Sequence, residues 1–391
     1  MNALAPLKGT RVLDLSSNLP GPFLTRILGD LGAEVIKVEA PHGEGLRHLP
    51  PQLDGIGSTF GGLNAGKDSL AIDLKKPEGV ALVLELAEHC DVFVEAFRPG
   101  KMVALGLGPE ALQKVNPRLV VCSLSGYGQT GSLAHAAGHD LNYLAHAGVL
   151  GLFGPADGPP GVPGVQVADV GGGSLQAAIG VLAALMERDR TGKGRHLDIS
   201  LMHGSVAFGA VAFAAAAAGF SEARGTGLLN GGGACYGCYE TADGRHLALG
   251  ALEPRFFATF CHLAKRPDLA EKGFLWGDAA KETIEDLRTL FRSRNAADWL
   301  ELCDGHDVCL TLVRTPEEAM ADPDLAGTLQ TVGAFRVVSA HLGAKTAPPG
   351  RGPSALGADA AAVATRLELN EATVQAAVDA GALRWDSEEN P

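Results

Sequence analysis

Arg11-Val-Leu-Asp-Leu15, Phe23 to Leu31 and Ala33-Glu-Val-Ile-Lys-Val-Glu39 decide how the chain is read. The first run predicts a strand, the second carries apolar residues at helical spacing, and the third predicts another strand, so residues 11–39 form a βαβ unit. The connecting turn is Ser16-Ser-Asn-Leu-Pro-Gly-Pro22. It lacks G-x-G-x-x-G, and Pro20 and Pro22 remove amides that a pyrophosphate would need. A nicotinamide dinucleotide is therefore set aside, although Glu39 ends its strand where a ribose-binding acid would sit.

Outward from that unit the alternation continues. Strands are predicted at Ser69 to Asp73, Val92 to Glu95 and Leu119 to Leu124, with helices at Pro77 to Glu88 and Pro109 to Val115. Repeated βα units with short loops predict an α/β fold with a Rossmann-like parallel sheet, in a large domain over residues 1–200. Gly154 to Gly164 reads as a rigid loop, and a helix is expected after Asp169. Beyond Arg224 the texture changes. Cys238 to Thr241 and His246 to Leu249 alternate around Ala242-Asp-Gly244 like a hairpin, and charged helices follow, which predicts a smaller α+β domain over 225–325. A helical tail at Ala360 to Leu383 places 330–391 as a C-terminal segment returning to the large domain.

Composition narrows the function. The 391 residues are 46% hydrophobic and 20% charged, as in globular proteins. A formal charge of −13 argues against nucleic acid as a partner. Seven cysteines, an odd number, make no secreted disulfide framework, and Met1 to Thr10 has no apolar signal core; a cytoplasmic protein is expected. The most apolar stretch, Ile199 to Phe220, is rich in Ala and Gly, which predicts a buried helix and no membrane span. Cys235-Tyr-Gly-Cys238, with Cys303, His306 and Cys309, is too loosely spaced for zinc and reads as buried free thiols.

Two titratable residues stand out. His139 lies in Gly138-His-Asp140, and Asp169 precedes the triple glycine Gly171, Gly172 and Gly173. A structural histidine and a helix cap are the plain alternatives. The glycines favour a reactive role, because they allow backbone amides to crowd a ligand and stabilise a developing oxyanion. An acid, a base and an oxyanion site together suit proton abstraction beside a carbonyl. Gly126-Tyr-Gly-Gln-Thr-Gly131 is a second glycine-rich loop able to approach a nucleotide-like ligand. No nucleophile elbow G-x-S-x-G argues for an ester hydrolase.

The chain resembles the class III CoA-transferase family, and within it the α-methylacyl-CoA racemases. The resemblance rests on Asp30-Leu-Gly-Ala-Glu-Val-Ile-Lys-Val-Glu39, Phe97-Arg-Pro-Gly100, Leu105-Gly-Leu-Gly108, Ser125-Gly-Tyr-Gly-Gln-Thr-Gly131, Gly194-Arg-His-Leu-Asp-Ile-Ser200 and Asp307-Val-Cys-Leu-Thr311. Gly138-His-Asp140, Tyr236-Gly-Cys-Tyr239 and Glu253-Pro254 are similar to the racemase branch. The resemblance implies His139 and Asp169 as catalytic bases, with Glu253 as partner of the histidine. It implies epimerisation of 2-methylacyl-CoA through an enolate, a place in lipid metabolism, and an interlocked homodimer. No cofactor beyond the CoA moiety of the substrate and no metal are implied. Substrate contacts are expected from Arg98, Lys67, Arg47, Gly126, Tyr127, Gly128, Tyr143, Gly171, Gly172, Gly173 and Tyr236. The alternative is a CoA-transferase with Asp169 as nucleophile. Ala40, Ala65 and Asp68 stand where the family often carries basic residues, and the chain has only 5 Met, against a Met-rich acyl surface in racemases.

Overall fold

Val12 and Leu13 leave the first strand towards opposite faces, and both are fully buried. The same holds for Val35 and Ile36, Val92 and Phe93, and Val120 and Val121, each pair divided between two hydrophobic cores. A sheet apolar on both faces must be covered on both, as parallel sheets are. The structure, a computed structural model, describes residues 4–339 and 349–385. It separates into two compact units, one of residues 1–144, 166–207 and 322–391 and one of 145–165 and 208–321. The smaller unit thus also takes 145–165, which the sequence reading left inside the large domain.

The first unit holds a six-stranded sheet of β1 (Arg11–Asp14), β2 (Glu34–Glu39), β3 (Asp68–Ala71), β4 (Val92–Glu95), β5 (Val120–Ser125) and β6 (His196–Ser200), in the order β3-β2-β1-β4-β5-β6. Every pairing is parallel, with Arg11 opposite Glu34 and Val121 opposite His196. Helix α1 (Pro20–Asp30) begins three residues before the expected Phe23, because Pro20 presets the first helical turn. Helices α2 (Ser58–Asn64), α3 (Pro77–Glu88) and α4 (Pro109–Val115) follow. From the tail, Val363, Ala377 and Leu383 pack into the core that holds Leu13 and Ile36.

Two expectations are corrected. The helix expected after Asp169 already begins at Val167, as a π-helical stretch to Leu175 that runs into a regular helix, Gln176–Thr191. Val167–Thr191 is the one helix among the described residues long and apolar enough to cross a membrane. Its Ala177, Val181 and Leu185 pack in the core that holds Val12 and Val35. The Ala-rich stretch, expected to be a buried helix, breaks into short helical pieces, and Ala210–Ala217 contains no buried residue.

The second unit holds an antiparallel sheet of Tyr236–Glu240, His246–Gly250 and Leu310–Leu312, the hairpin strand in the middle. Its core is aromatic: Tyr239 and Phe260 stack on Phe291 at 4.8 and 5.3 Å, and Trp299 lies 5.2 Å from the same ring.

Candidate active site

The chain runs outward from β1 to β3, then returns and runs the other way from β4 to β6. The strand order therefore reverses between β1 and β4. Open parallel sheets bind ligands at the carboxyl ends of the strands at such a reversal. A cavity of about 390 Å³ lies there. Ser17 and Asn18 line it from the turn after β1, Phe97 and Arg98 from the turn after β4, and Ser125, Gly126 and Tyr127 from the end of β5. Gly138, His139, Tyr143 and Asp169 complete the wall.

His139 is held from both sides. Its N–H donates to Asn142 Oδ1 at 3.1 Å, and the Tyr143 hydroxyl donates to the carbonyl of Gly138. The Tyr143 ring meets Tyr127 edge-on at 5.1 Å. A Cβ on Gly126 would lie 2.2 Å from that ring, so Gly126 makes room for Tyr143 beneath the histidine. Asp169 sits in the first turn of the π-helical stretch, half-buried, and its N–H donates to Asp140 Oδ1 at 2.9 Å. Burial, reinforced by the charge of Asp140 and opposed by His139, pushes its carboxyl up to about 6. The structure thus brings an imidazole to the same cavity as an acid whose raised pKa suits proton transfer.

Other expected contacts are placed elsewhere. The Lys67 ammonium is buried and donates to Asp14 Oδ2 at 3.1 Å, Thr25 Oγ1 at 2.7 Å, Asn64 Oδ1 at 2.8 Å and the Pro22 carbonyl at 3.0 Å. Four acceptors more than occupy its three protons, leaving none for a phosphate. Arg47 is buried as well. It grips Glu39 through Nε, at 3.0 Å, and through Nη2, donates to the Ser354 carbonyl at 3.0 Å and stacks on Phe60 at 4.1 Å. The same contact occupies Glu39, the acid that invited a ribose. Neither basic residue lines the cavity. The Arg98 guanidinium does, exposed and without a hydrogen bond or ion pair among the described residues.

Gly171, Gly172 and Gly173 are buried and do not line the cavity either. They lie within the helical ladder, where they admit a close neighbour. A Cβ on Gly172 would come within 2.6 Å of the Leu201 carbonyl, and one on Gly204 within 1.9 Å of the Gly172 carbonyl. The missing Cβ atoms of Gly172 and Gly204 thus let the two backbones pack closely. Gly128 stays off the wall, taking a φ of +92° beside Asp198, which accepts the Gln129 N–H at 3.0 Å. Sequence reasoning missed Ser125 as a separate site. Its hydroxyl is buried at the wall with no hydrogen-bond partner among the described residues.

Tyr236 and Glu253 belong to the second unit, at the same end of its sheet: Tyr236 pairs with Gly250, and Glu253 precedes the helix Pro254–Leu263. Cys235 is buried, but Cys238 and Cys309 are exposed, Cys238 alternating with the buried Tyr239 along its strand; the expectation of buried thiols fails for these two. Among the described residues no three His, Cys, Asp or Glu are grouped to hold a metal.

Fold and cavity together define an α/β protein with a ligand crevice at the sheet's reversal and a histidine–carboxylate pair in it. Residues 7–339 match the model of CoA-transferase family III, and the chain belongs to that family. It is 38% identical to human alpha-methylacyl-CoA racemase over 316 residues, 80% of this chain and 79% of the relative. It is 40% identical to mouse succinyl-CoA:glutarate CoA-transferase over 314 residues, 78% and 72% of the two chains. Among solved structures, a CAIB/BAIF family protein from Brucella suis superposes with a TM-score of 0.81 at 30% identity, covering 93% of this chain and 99% of that one. Racemases and transferases thus stand at similar identity.

Proposed function

We propose that the protein racemises 2-methylacyl-CoA thioesters by exchanging the α-proton, with His139 and Asp169 as the two bases. The observation that carries this reading is that His139 and Asp169 both line one cavity, with the carboxyl of Asp169 raised to about 6. Two-base exchange needs one base free and the other protonated. A carboxyl of pKa 6 is protonated in about one molecule in ten at pH 7, against about one in a thousand for an ordinary aspartate. One base removes the α-proton from one face, the enolate forms, and the other returns a proton from the opposite face.

The enolate oxygen needs donors. The Ser125 hydroxyl, without a hydrogen-bond partner among the described residues, is one such donor. Arg98 faces the ligand's anionic end. A neighbouring cavity of about 180 Å³ shares Phe97 with the first and is lined by Val38, Ala40, Lys75 and Lys101, with Glu39, held by Arg47, and Asp73 also on it. An apolar floor flanked by lysines suits an adenine and its phosphates, and Ala40 leaves that floor open.

In this reading Glu253 orients His139 from a second copy of the chain, in a homodimer. Leu175, Ile179 and Met186 form an exposed apolar stripe on one helix, and Ala210–Ala217 has no buried residue; both faces suit a partner subunit. No cofactor beyond CoA is needed for this chemistry, and seven free thiols suit the cytoplasm.

The second reading is a CoA-transferase, supported by the 40% identity to the glutarate enzyme. Here the Asp169 carboxylate attacks the thioester carbonyl, CoA leaves as thiolate, and a mixed anhydride forms. The test is NMR of the purified protein with a (2R)-2-methylacyl-CoA in D2O, without and then with a free carboxylic acid. Deuterium at Cα with loss of stereochemical purity, and no need of the acid, is expected. An unlabelled thioester that hands its CoA to the added acid would establish transfer instead.

A further inference from the structure

We propose that Asp140 is a positioning residue that ties the two reactive elements together and sets the proton affinity of Asp169. The inference rests on Asp169 as the reacting carboxyl, in either role above. Asp140 opens the helix Asp140–His146 and directly follows His139. Three side chains of that helix fasten the site: Asn142 and Tyr143 hold the backbone of Gly138 and His139, and Asp140 reaches the other element through the Asp169 N–H.

The Asp169 amide needs that acceptor. It falls in the first turn of its helical stretch, where backbone N–H groups have no partner within the helix. One contact then does two things. The hydrogen bond fixes the backbone from which the Asp169 carboxyl projects, so the reach from Asp169 to a bound thioester is set by the helix that directly follows His139. The carboxylate also places a like charge near Asp169, and a like charge favours the protonated form.

The groups that act on the Asp169 carboxyl are few. Asp140 and His139 supply the charges, and Tyr143 lies close enough for its own hydroxyl to be raised, chiefly by burial and then by Asp169. From α1 the stretch meets the Pro20 carbonyl, which accepts from Ser174 Oγ at 2.7 Å. From Leu201–Ser205 it meets Leu201 and Ser205, and His203 of that helix is exposed. Asp140 is the only anion in this set besides Asp169 itself.

The experiment compares Asp140→Asn, which keeps an acceptor oxygen and loses the charge, with Asp140→Ala, which loses both. Carboxyl-13C aspartate labelling follows the Asp169 titration directly, with the resonance assigned by its disappearance in Asp169→Asn; turnover of a CoA thioester is measured alongside. In Asp140→Asn the Asp169 midpoint falls by about one pH unit, and the acid limb of turnover falls with it. In Asp140→Ala turnover drops about 100-fold while KM for the thioester changes little, and Asp140→Asn restores most of the loss. An Asp169 midpoint unmoved by Asp140→Asn overturns the proposal, as do equal losses of turnover in the two variants. If Asp140→Ala fails to fold, the midpoint in Asp140→Asn decides alone. Should Asp169→Asn retain full turnover, the functional reading fails separately, because the midpoint is read by NMR and not by activity.

Discussion

Lys67 and Arg98 are both basic residues flanking strands of the same sheet, and they do opposite things. Around Lys67 every charge is matched: Asp14 on one side, Thr25, Asn64 and a carbonyl on the others, all buried. Lys37, also buried, pairs with Glu44 at 2.9 Å and donates to the Ser16 carbonyl. The Arg98 guanidinium has no hydrogen bond or ion pair among the described residues, and the Asp169 carboxyl on the same cavity is raised instead of lowered. The first region uses its polar groups to hold the turn Ser16 to Asn18 that floors the cavity. The second leaves its groups free for a ligand. Residue type alone does not separate them; saturation of hydrogen-bonding capacity does.

That contrast can be broken by substitution. Asp169→Asn should lower thioester turnover roughly a thousandfold, read by α-deuterium incorporation, with little change in the melting temperature. A variant that melts early would put Asp169 in the structural region. Lys67→Met should do the reverse. Removing one partner strands the buried Asp14 carboxylate and costs about 3 kcal/mol in denaturant unfolding, while the folded fraction keeps its KM for the thioester. Arg98→Ala is the smaller change: KM should rise about tenfold through a lost charge-assisted contact, at unaltered stability.

Acid sharpens the same comparison. Burial works to raise the pKa of Asp14, but Lys67 and Lys37, with Ser16 and Thr25, overcome it and hold the group well below the ordinary carboxylate range. A carboxylate whose folded pKa lies below its unfolded value stabilises fully above about pH 4, and that stability is lost as pH falls through the folded value. Turnover that needs ionised Asp169 falls earlier, on going below about 6. Activity should therefore disappear on acidification while circular dichroism still reports a folded protein. Simultaneous loss would mean that the cavity and the buried cluster titrate as one.

Much of the fold was legible because its signals are local. The apolar pattern of residues 11–39 and the helix Pro77–Glu88 need no distant partner to be read. His139 and Asp169 were legible through motif resemblance, and the sheet's reversal then places both on one cavity. What was not legible depends on distant contacts. Arg47 is captured by the carbonyl of Ser354, and Lys67 by Asp14, partners that no spacing rule joins. The triple glycine is ambiguous in sequence, since a close backbone neighbour and a ligand both require a missing Cβ; at Gly172 the structure shows the neighbour, the Leu201 carbonyl. Ser125 opens a motif that carries the family resemblance, but nothing in the sequence shows that its hydroxyl lacks a partner.

The central claim is that His139 and Asp169 work as a proton-exchanging pair in one cavity. It is tested most directly by following α-deuterium uptake into each stereoisomer of a 2-methylacyl-CoA between pH 5 and 9, in the unaltered protein and in His139→Ala. Uptake into both isomers with an acid limb near 6 is expected, and loss of proton abstraction from one isomer only in the variant. Uptake unaffected by the substitution, or absent at every pH while CoA passes to an added acid, would contradict it.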